Sequence, residues 1–373
     1  MFAASIAKEH PVILSIFGCQ YHGPSPSPAK KQLIDTFDNL LKRSAVSVET
    51  LEHDNASPAP GSSRVWMSYW KSPNDYQQWW DSEKVSQFWA SLPADAGFWR
   101  EKLSLASTRA MFETNKNAPN GFAHAGSLVD LTEKTGYWGA YRDRLEDATP
   151  QDRLRSPLRA VPPPKPRSAR VRSGRVVMDR FPDNLCFVVE GQDHAAMGPD
   201  ERDHWAENFD LLTKSWVSHV VNAGPEAGMV SARLCHAPQS GRAEGGSGGT
   251  AEDQGWAQAF EFNRKVQILY FLDMSYMERI GKSTKTHVDL RRKFMQSYAP
   301  TGPMANGDLL LWVELAVLKA QDVEAEYIGC YEGTGFMAYE EHPSFQKELV
   351  GASWSPWSMI TRASQYVFGQ GDR

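Results

Sequence analysis

What the 373-residue sequence lacks narrows it first. No stretch approaches the roughly 18 consecutive apolar residues that a membrane span needs, and Met1 to Val12 has no apolar run of the signal-peptide kind. A cytosolic protein without membrane contact is the expectation. Cysteine is scarce: Cys19, Cys186, Cys235 and Cys330 stand far apart with no Cys-x-x-Cys pair, so zinc and dithiol chemistry have no motif here. Buried free thiols are the plain expectation, and a thiolate ligand the lesser one. There is no basic excess either; a net charge of -5 and a pI near 6.1 exclude a general affinity for nucleic acid. Also missing are a phosphate-cradling glycine loop, a His-Glu-x-x-His helix, a Gly-x-Ser-x-Gly elbow and paired metal carboxylates at diagnostic spacing, which removes support for kinase and hydrolase chemistry.

What is present is core material. Apolar residues make up 41%, and 17 Phe, 13 Trp and 12 Tyr could not be left in a disordered chain. Val12 to Tyr21 reads as a buried strand, and after Pro28 the residues Leu33, Phe37, Leu40 and Leu41 recur at helical spacing. Strand-like segments at Ala45 to Leu51 and Ser63 to Trp70, a Trp-rich helical stretch from Asn74 to Ser91 and a strand from Leu105 to Thr114 follow. The order is βαββαβ.

Pro162-Pro163-Pro164 fits neither a helix nor a central strand, so residues 157–168 read as a linker between an N-terminal half, 1–156, and a C-terminal half, 169–373. The second half repeats the order. Strands are expected at Arg175 to Met178, Asn184 to Glu190, Gly228 to Cys235, Ala259 to Leu272 and Leu309 to Lys319, with helices from Glu201 to Asn222 and Tyr276 to Tyr298. Residues 238–255, rich in Gly and nearly free of apolar side chains, read as a flexible insertion. Ser82 to Ser86 also lines up with Ser283 to His287, each after a bend serine, Ser72 and Ser275. An α+β protein of duplicated ferredoxin-like units, whose sheets pack into a barrel-like core, satisfies this order.

His287 lies on the apolar face of its helix with Leu290, Phe294 and Tyr298. On spacing alone such an imidazole is more often held by hydrogen bonds inside a core than bound to a metal. With Ser283 as the cap, it would sit in the first turns, where the helix dipole keeps it neutral and able to bind iron. Ser231, by alternation on the face of Met229 and Arg233, would ordinarily be a satisfied strand hydroxyl. Gly136 to Arg144 combines three aromatics with two guanidinium groups, which suits a planar anion or equally a solvated helix start.

Taken together, several segments resemble the haem-containing aldoxime dehydratases, the phenylacetaldoxime dehydratase family. In the first half they are Gly18-Cys-Gln-Tyr21, Ser68-Tyr-Trp-Lys-Ser-Pro73, Phe98-Trp-Arg-Glu101, Arg109-Ala-Met-Phe-Glu-Thr114 and Gly136 to Arg144. In the second half Gly174-Arg-Val-Val177, Asp183-Asn184, Gly191-Gln-Asp193, the Ser231 strand and the His287 helix extend the resemblance over most of the chain. It implies a haem b whose iron is held by His287, a small nitrogen-containing substrate, and a lyase reaction in which an aldoxime loses water to leave a nitrile. Ser231 would hydrogen-bond the oxime hydroxyl. A homodimer is left open.

Two departures stand out. Where members carry a distal histidine, this chain reads Leu311-Trp-Val-Glu-Leu315, with Val313 at that position, and Val189 stands where members carry an arginine. Glu314, on the opposite strand face beside Trp312, is no replacement. Losing a general acid costs about 10²- to 10⁴-fold in rate. The alternatives are therefore a haem enzyme working on another N–O or N–N substrate by rearrangement, N–N bond formation or reduction, and a non-catalytic haem-binding or sensing protein.

Overall fold

The structure, a computed structural model, describes residues 1–23, 25–42, 44–54, 61–131, 141–243 and 255–345, and the backbone of 347–348. Much of the expected insertion, and Gly136 to Ala140 of the aromatic–arginine segment, lie outside the described residues.

The N-terminal part contributes β1 (Phe2–Ser5), β2 (Val12–Gln20), α1 (Pro28–Leu41), β3 (Ser47–Asp54), β4 (Ser62–Trp70), α2 (Pro73–Trp80), α3 (Glu83–Ser91), β5 (Phe98–Leu105), β6 (Ala110–Thr114) and β7 (Ser127–Asp130). After the linker come β8 (Arg175–Met178), β9 (Leu185–Asp193), α4 (Pro199–Asn208), α5 (Asp210–Val221), β10 (Met229–His236), β11 (Arg264–Phe271), α6 (Met274–Ser283), α7 (Lys285–Tyr298), β12 (Leu310–Leu318), β13 (Val323–Ile328) and β14 (Lys347–Glu348).

Among the described residues the strands join in the order β14-β8-β13-β5-β2-β4-β3-β10-β11-β9-β12-β6-β1-β7. Two ferredoxin-like sheets, β5-β2-β4-β3 and β10-β11-β9-β12, meet edge to edge where Cys235 pairs with His53. Each half also lends a strand to the other: β6 pairs with β12, and β13 with β5. The linker at 157–168 therefore does not by itself separate the two sheets.

One face of each sheet meets the other sheet. A single core cluster joins Leu14, Met67 and Leu103 of the first to Phe187, Ile268 and Leu318 of the second, and this is the barrel-like interior. The outer faces carry the helices. Strands such as β2, Val-Ile-Leu-Ser-Ile-Phe-Gly-Cys-Gln, are buried at every position because both faces are covered, so their apolar run is nearly continuous rather than alternating.

The duplication reaches individual residues. In β2, Gly18 pairs with Trp99 of β5, and in β9, Gly191 pairs with Trp312 of β12. A Cβ on Gly18 would stand 2.2 Å from the Trp99 ring, and one on Gly191 2.0 Å from the Trp312 ring, so only glycine admits either indole. Arginines cover both rings, Arg233 over Trp99 and Arg264 over Trp312. Neighbouring positions follow: Phe17 with Glu190, Arg100 with Val313, and Glu101 with Glu314.

Some expected boundaries move. Each long helix is two. The stretch from Asn74 to Ser91 breaks at Asp81–Ser82, that from Glu201 to Asn222 at Phe209, and that from Tyr276 to Tyr298 at Thr284. Serine and threonine favour such breaks because their side chains compete for backbone hydrogen bonds. Of the strand expected over Leu105 to Thr114 only Ala110–Thr114 forms β6, on the second sheet. The first sheet's strand is β5, Phe98–Leu105, which was not expected, and the two are separated by a turn closed by Arg109 N–H on the Ala106 carbonyl. Arg264, not Ala259, opens β11, since Gln258–Glu261 form a 3₁₀ turn.

Candidate active site: a cavity under the His287 helix

Alternation on the second sheet turns Val188, Glu190 and Gln192 of β9, Gln267 and Leu269 of β11, and Leu311 and Val313 of β12 toward the helices. Trp216 and Val217 of α5, Ile280 of α6, and His287, Leu290 and Phe294 of α7 face them across a cavity of about 1370 Å³, open mouth included. The wall is overwhelmingly apolar and aromatic.

Thr284, not Ser283, is the cap residue of α7, so His287 is its third residue, within the first turn. Its Nδ1 lies 2.6 Å from the Gly281 carbonyl, and its ring stacks on Trp216 with centroids 4.2 Å apart. Donation from Nδ1 to that carbonyl sets the tautomer and leaves Nε2 as the nitrogen that could bind a metal.

Glu190 lines the cavity from the sheet beside Gln192 and Gln267. Burial pushes its carboxyl above the usual range. It pairs directly across strands with Val313, which is 5% exposed. The other carboxyl on the lining, Glu278, is held by Arg142 at 2.9 Å.

The residues singled out in the sequence divide. His287 and Val313 line one cavity. Val189 does not: it is packed in the barrel interior, and Glu190 takes the cavity-facing place beside it, because strand neighbours point to opposite faces. Ser231 also falls elsewhere. A bulge between Met229 and Ser231 sets Ser231 opposite Tyr270, an interior residue, so it parts from Met229 and joins the interior face with Arg233. Glu314 is on the interior face as expected, accepting from the Tyr69 hydroxyl at 2.9 Å and the Phe122 N–H at 3.1 Å, with its carboxyl raised by burial to about 7.

Arg142 and Arg144 are braces rather than ligands for a planar anion: Arg142 holds α6 through Glu278, and Arg144 meets Glu113 at 2.6 Å. All four cysteines are buried and free. Burial pushes the Cys19 and Cys235 thiols up to about 12. Sequence reasoning missed Glu190 and Trp216; the signal available for Glu190 was its place as the charged residue of the otherwise uncharged run Val188-Val-Glu-Gly-Gln192.

A barrel of two ferredoxin-like units with one outer cleft left open around a helix-borne histidine places the chain among α+β barrel proteins. The comparisons name the family. The family model described as haem-containing dehydratase matches residues 15–336, and the chain belongs to that family. It is 26% identical over 293 residues to a phenylacetaldoxime dehydratase of Bacillus sp. (strain OxB-1), covering 77% of this chain and 76% of that one. It is also 26% identical over 354 residues to an aliphatic aldoxime dehydratase of Rhodococcus globerulus, covering 88% and 87%. A crystal structure of an aldoxime dehydratase in complex with butyraldoxime superposes with a TM-score of 0.70 at 20% identity, over 90% of this chain and 88% of that one, which establishes the shared fold.

The cavity fits the family's haem. It offers one imidazole with its second nitrogen fixed, a broad apolar wall, and the cations Lys282 and Arg291 on its lining to meet the porphyrin carboxylates. Leu290 and Phe294 of α7 are only half-buried, and Ser297 is the single fully buried residue of that helix, so its apolar face is left for a large planar group to cover. Among the described residues no helix is long and apolar enough to cross a membrane.

Proposed function

We propose that this protein is a haem-dependent lyase converting small aldoximes to nitriles and water, with haem b held by His287. The observation that carries this is the position of His287 on the wall of an apolar cavity in a chain of the haem-containing dehydratase family. When bound, ferrous haem supplies an electron-rich iron that takes the oxime through nitrogen and weakens its N–O bond. The protein's part is the remainder. The sheet-borne Val188, Leu269 and Val313 would receive the hydrocarbon portion of the substrate, and the apolar wall excludes water, which strengthens every polar contact inside. Gln267 and Glu190 are the groups placed to hydrogen-bond an oxime hydroxyl.

Val313 lines the cavity but can donate no proton, and Ser231 lies on the other face of its strand, so neither supplies a donor to the oxime hydroxyl. Neither alternative reading, other N–O or N–N chemistry or a non-catalytic haem protein, gains an observation of its own. Four buried free thiols fit a reducing compartment, which supports a cytoplasmic location.

The test is an absorption spectrum of the purified protein followed by nitrile assays. A Soret band and nitrile from arylaldoximes or alkylaldoximes after dithionite reduction are expected; a haem-loaded, reduced protein that turns over neither class would reject dehydration.

A further inference from the structure

We infer that Glu190 is the proton donor for the departing oxime oxygen, a role that rests on the dehydration proposed above. Hydroxide leaves far less readily than water, so the reaction requires an acid beside the hydroxyl. The lining carries two carboxyls. Glu278 is committed to Arg142 at 2.9 Å, and His287 is committed to iron by its fixed Nδ1, which leaves Glu190. Its position is set by the sheet: β9 holds it directly opposite Val313, and Gln267 of β11 lines the cavity from the neighbouring strand.

The step balances without an external redox partner. The Glu190 carboxyl proton passes to the oxime oxygen, and the N–O bond breaks with its electron pair leaving on water. The carboxylate then takes the proton from the oxime carbon, whose C–H electron pair becomes the third bond between carbon and nitrogen. One carboxyl thus serves as acid and then as base, and is regenerated in each turnover.

The experiment uses the haem-loaded, dithionite-reduced protein with phenylacetaldoxime and butyraldoxime. Glu190→Gln keeps the shape and the hydrogen-bonding capacity but removes the acid. It is expected to leave haem content and the ferrous spectrum unchanged, to alter the oxime dissociation constant read from absorption titration by less than about tenfold, and to lower kcat by about 10²-fold or more. Because residue 313 adjoins residue 190 on the cavity face, Val313→His added to Glu190→Gln is expected to recover at least tenfold of the lost kcat. A Glu190→Gln protein with kcat within threefold of the parent overturns the inference and leaves the dehydration reading standing. Loss of haem or of oxime affinity in proportion to kcat, without recovery in the double variant, makes Glu190 a structural residue and also overturns it. No nitrile from the parent overturns both.

Discussion

Beneath α1, α2 and α3 the first sheet is covered by a continuous aromatic layer. Phe17 lies 5.0 Å from Phe37, and Trp80 5.3 Å from Trp89 between ring centroids, with Trp66, Trp70, Tyr76 and Phe98 filling the remaining space. Beneath α5, α6 and α7 the same path over the second sheet encloses the His287 cavity. Aligning the two Gly–Trp pairs shows how the difference was made. Phe17, at the centre of the filled layer, corresponds to Glu190, and Arg100, stacked 4.2 Å over Trp80, corresponds to Val313. Val85, the third residue of α3 and 2% exposed, corresponds to His287, the third residue of α7. A duplicated scaffold can thus spend one outer layer on stability and leave the other hollow for chemistry, by changes at a few matched positions.

The largest expected effect comes from removing what only the hollow half possesses. His287→Ala should lose most bound haem, seen as loss of the Soret band; full haem with an unchanged ferrous spectrum would mean that iron is held by another residue. Next comes damage to the filled half. Trp89→Ala should cost about 3–5 kcal/mol in urea unfolding, as for other buried aromatic truncations, while the haem spectrum and oxime binding of the folded fraction stay as in the parent. A spectral change would show that the two layers are coupled through the barrel.

Val85→His places the hollow half's ligand in the filled half. Packed in the aromatic layer where Val85 is 2% exposed, the imidazole loses solvation without gaining iron, so a stability loss of about 1–3 kcal/mol and an unchanged haem stoichiometry are expected. A second equivalent of haem would break the comparison outright.

The smallest effect concerns the matched interior carboxyls. Glu101 is bonded by Arg233 at 2.6 Å and by the Tyr270 and Tyr327 hydroxyls, whereas Glu314 has Tyr69 and one backbone N–H. Burial raises Glu314 to about 7 from the ordinary 4.5. A raised carboxyl contributes stability that is whole below the unfolded pKa and is lost as pH climbs through the folded one. The parent should therefore lose stability between about pH 4.5 and 7, by at most roughly 3 kcal/mol, and Glu314→Gln should flatten that slope in urea midpoints measured across the interval. An unchanged slope would assign the titration to another group.

Much of this was legible along the chain. Strands β2, β4, β9 and β12 were recognisable from apolar runs bounded by turn residues, and the βαββαβ order repeated across a Pro-rich linker specified the duplicated units. His287 stood out because a helix face of Leu290, Phe294 and Tyr298 had no reason of its own to include an imidazole. The repeat alignment, however, set His287 against Ser86, one residue from Val85, because Ser82 was matched to Ser283 and the cap of α7 is Thr284. A cap is a matter of backbone angles, and serine next to threonine offers both.

Local pattern therefore determined most of the element order and the duplication, since each depends on periodicities of 3.6 or 2 that a single strand or helix already expresses, while the resemblance supplied the haem-protein class and proposed the helix that would carry the ligand. The tertiary structure alone decided which faces point where. A bulge at Met229–Ser231 turned Ser231 into the barrel interior, alternation moved the cavity position from Val189 to Glu190, and the exchange of β6 and β13 tied the halves together. A strand's hydrophobic pattern does not say which of two buried faces will be filled. That depends on the volume of the side chains arriving from the opposite layer, and here aromatic rings fill one cleft while the other stays open around His287.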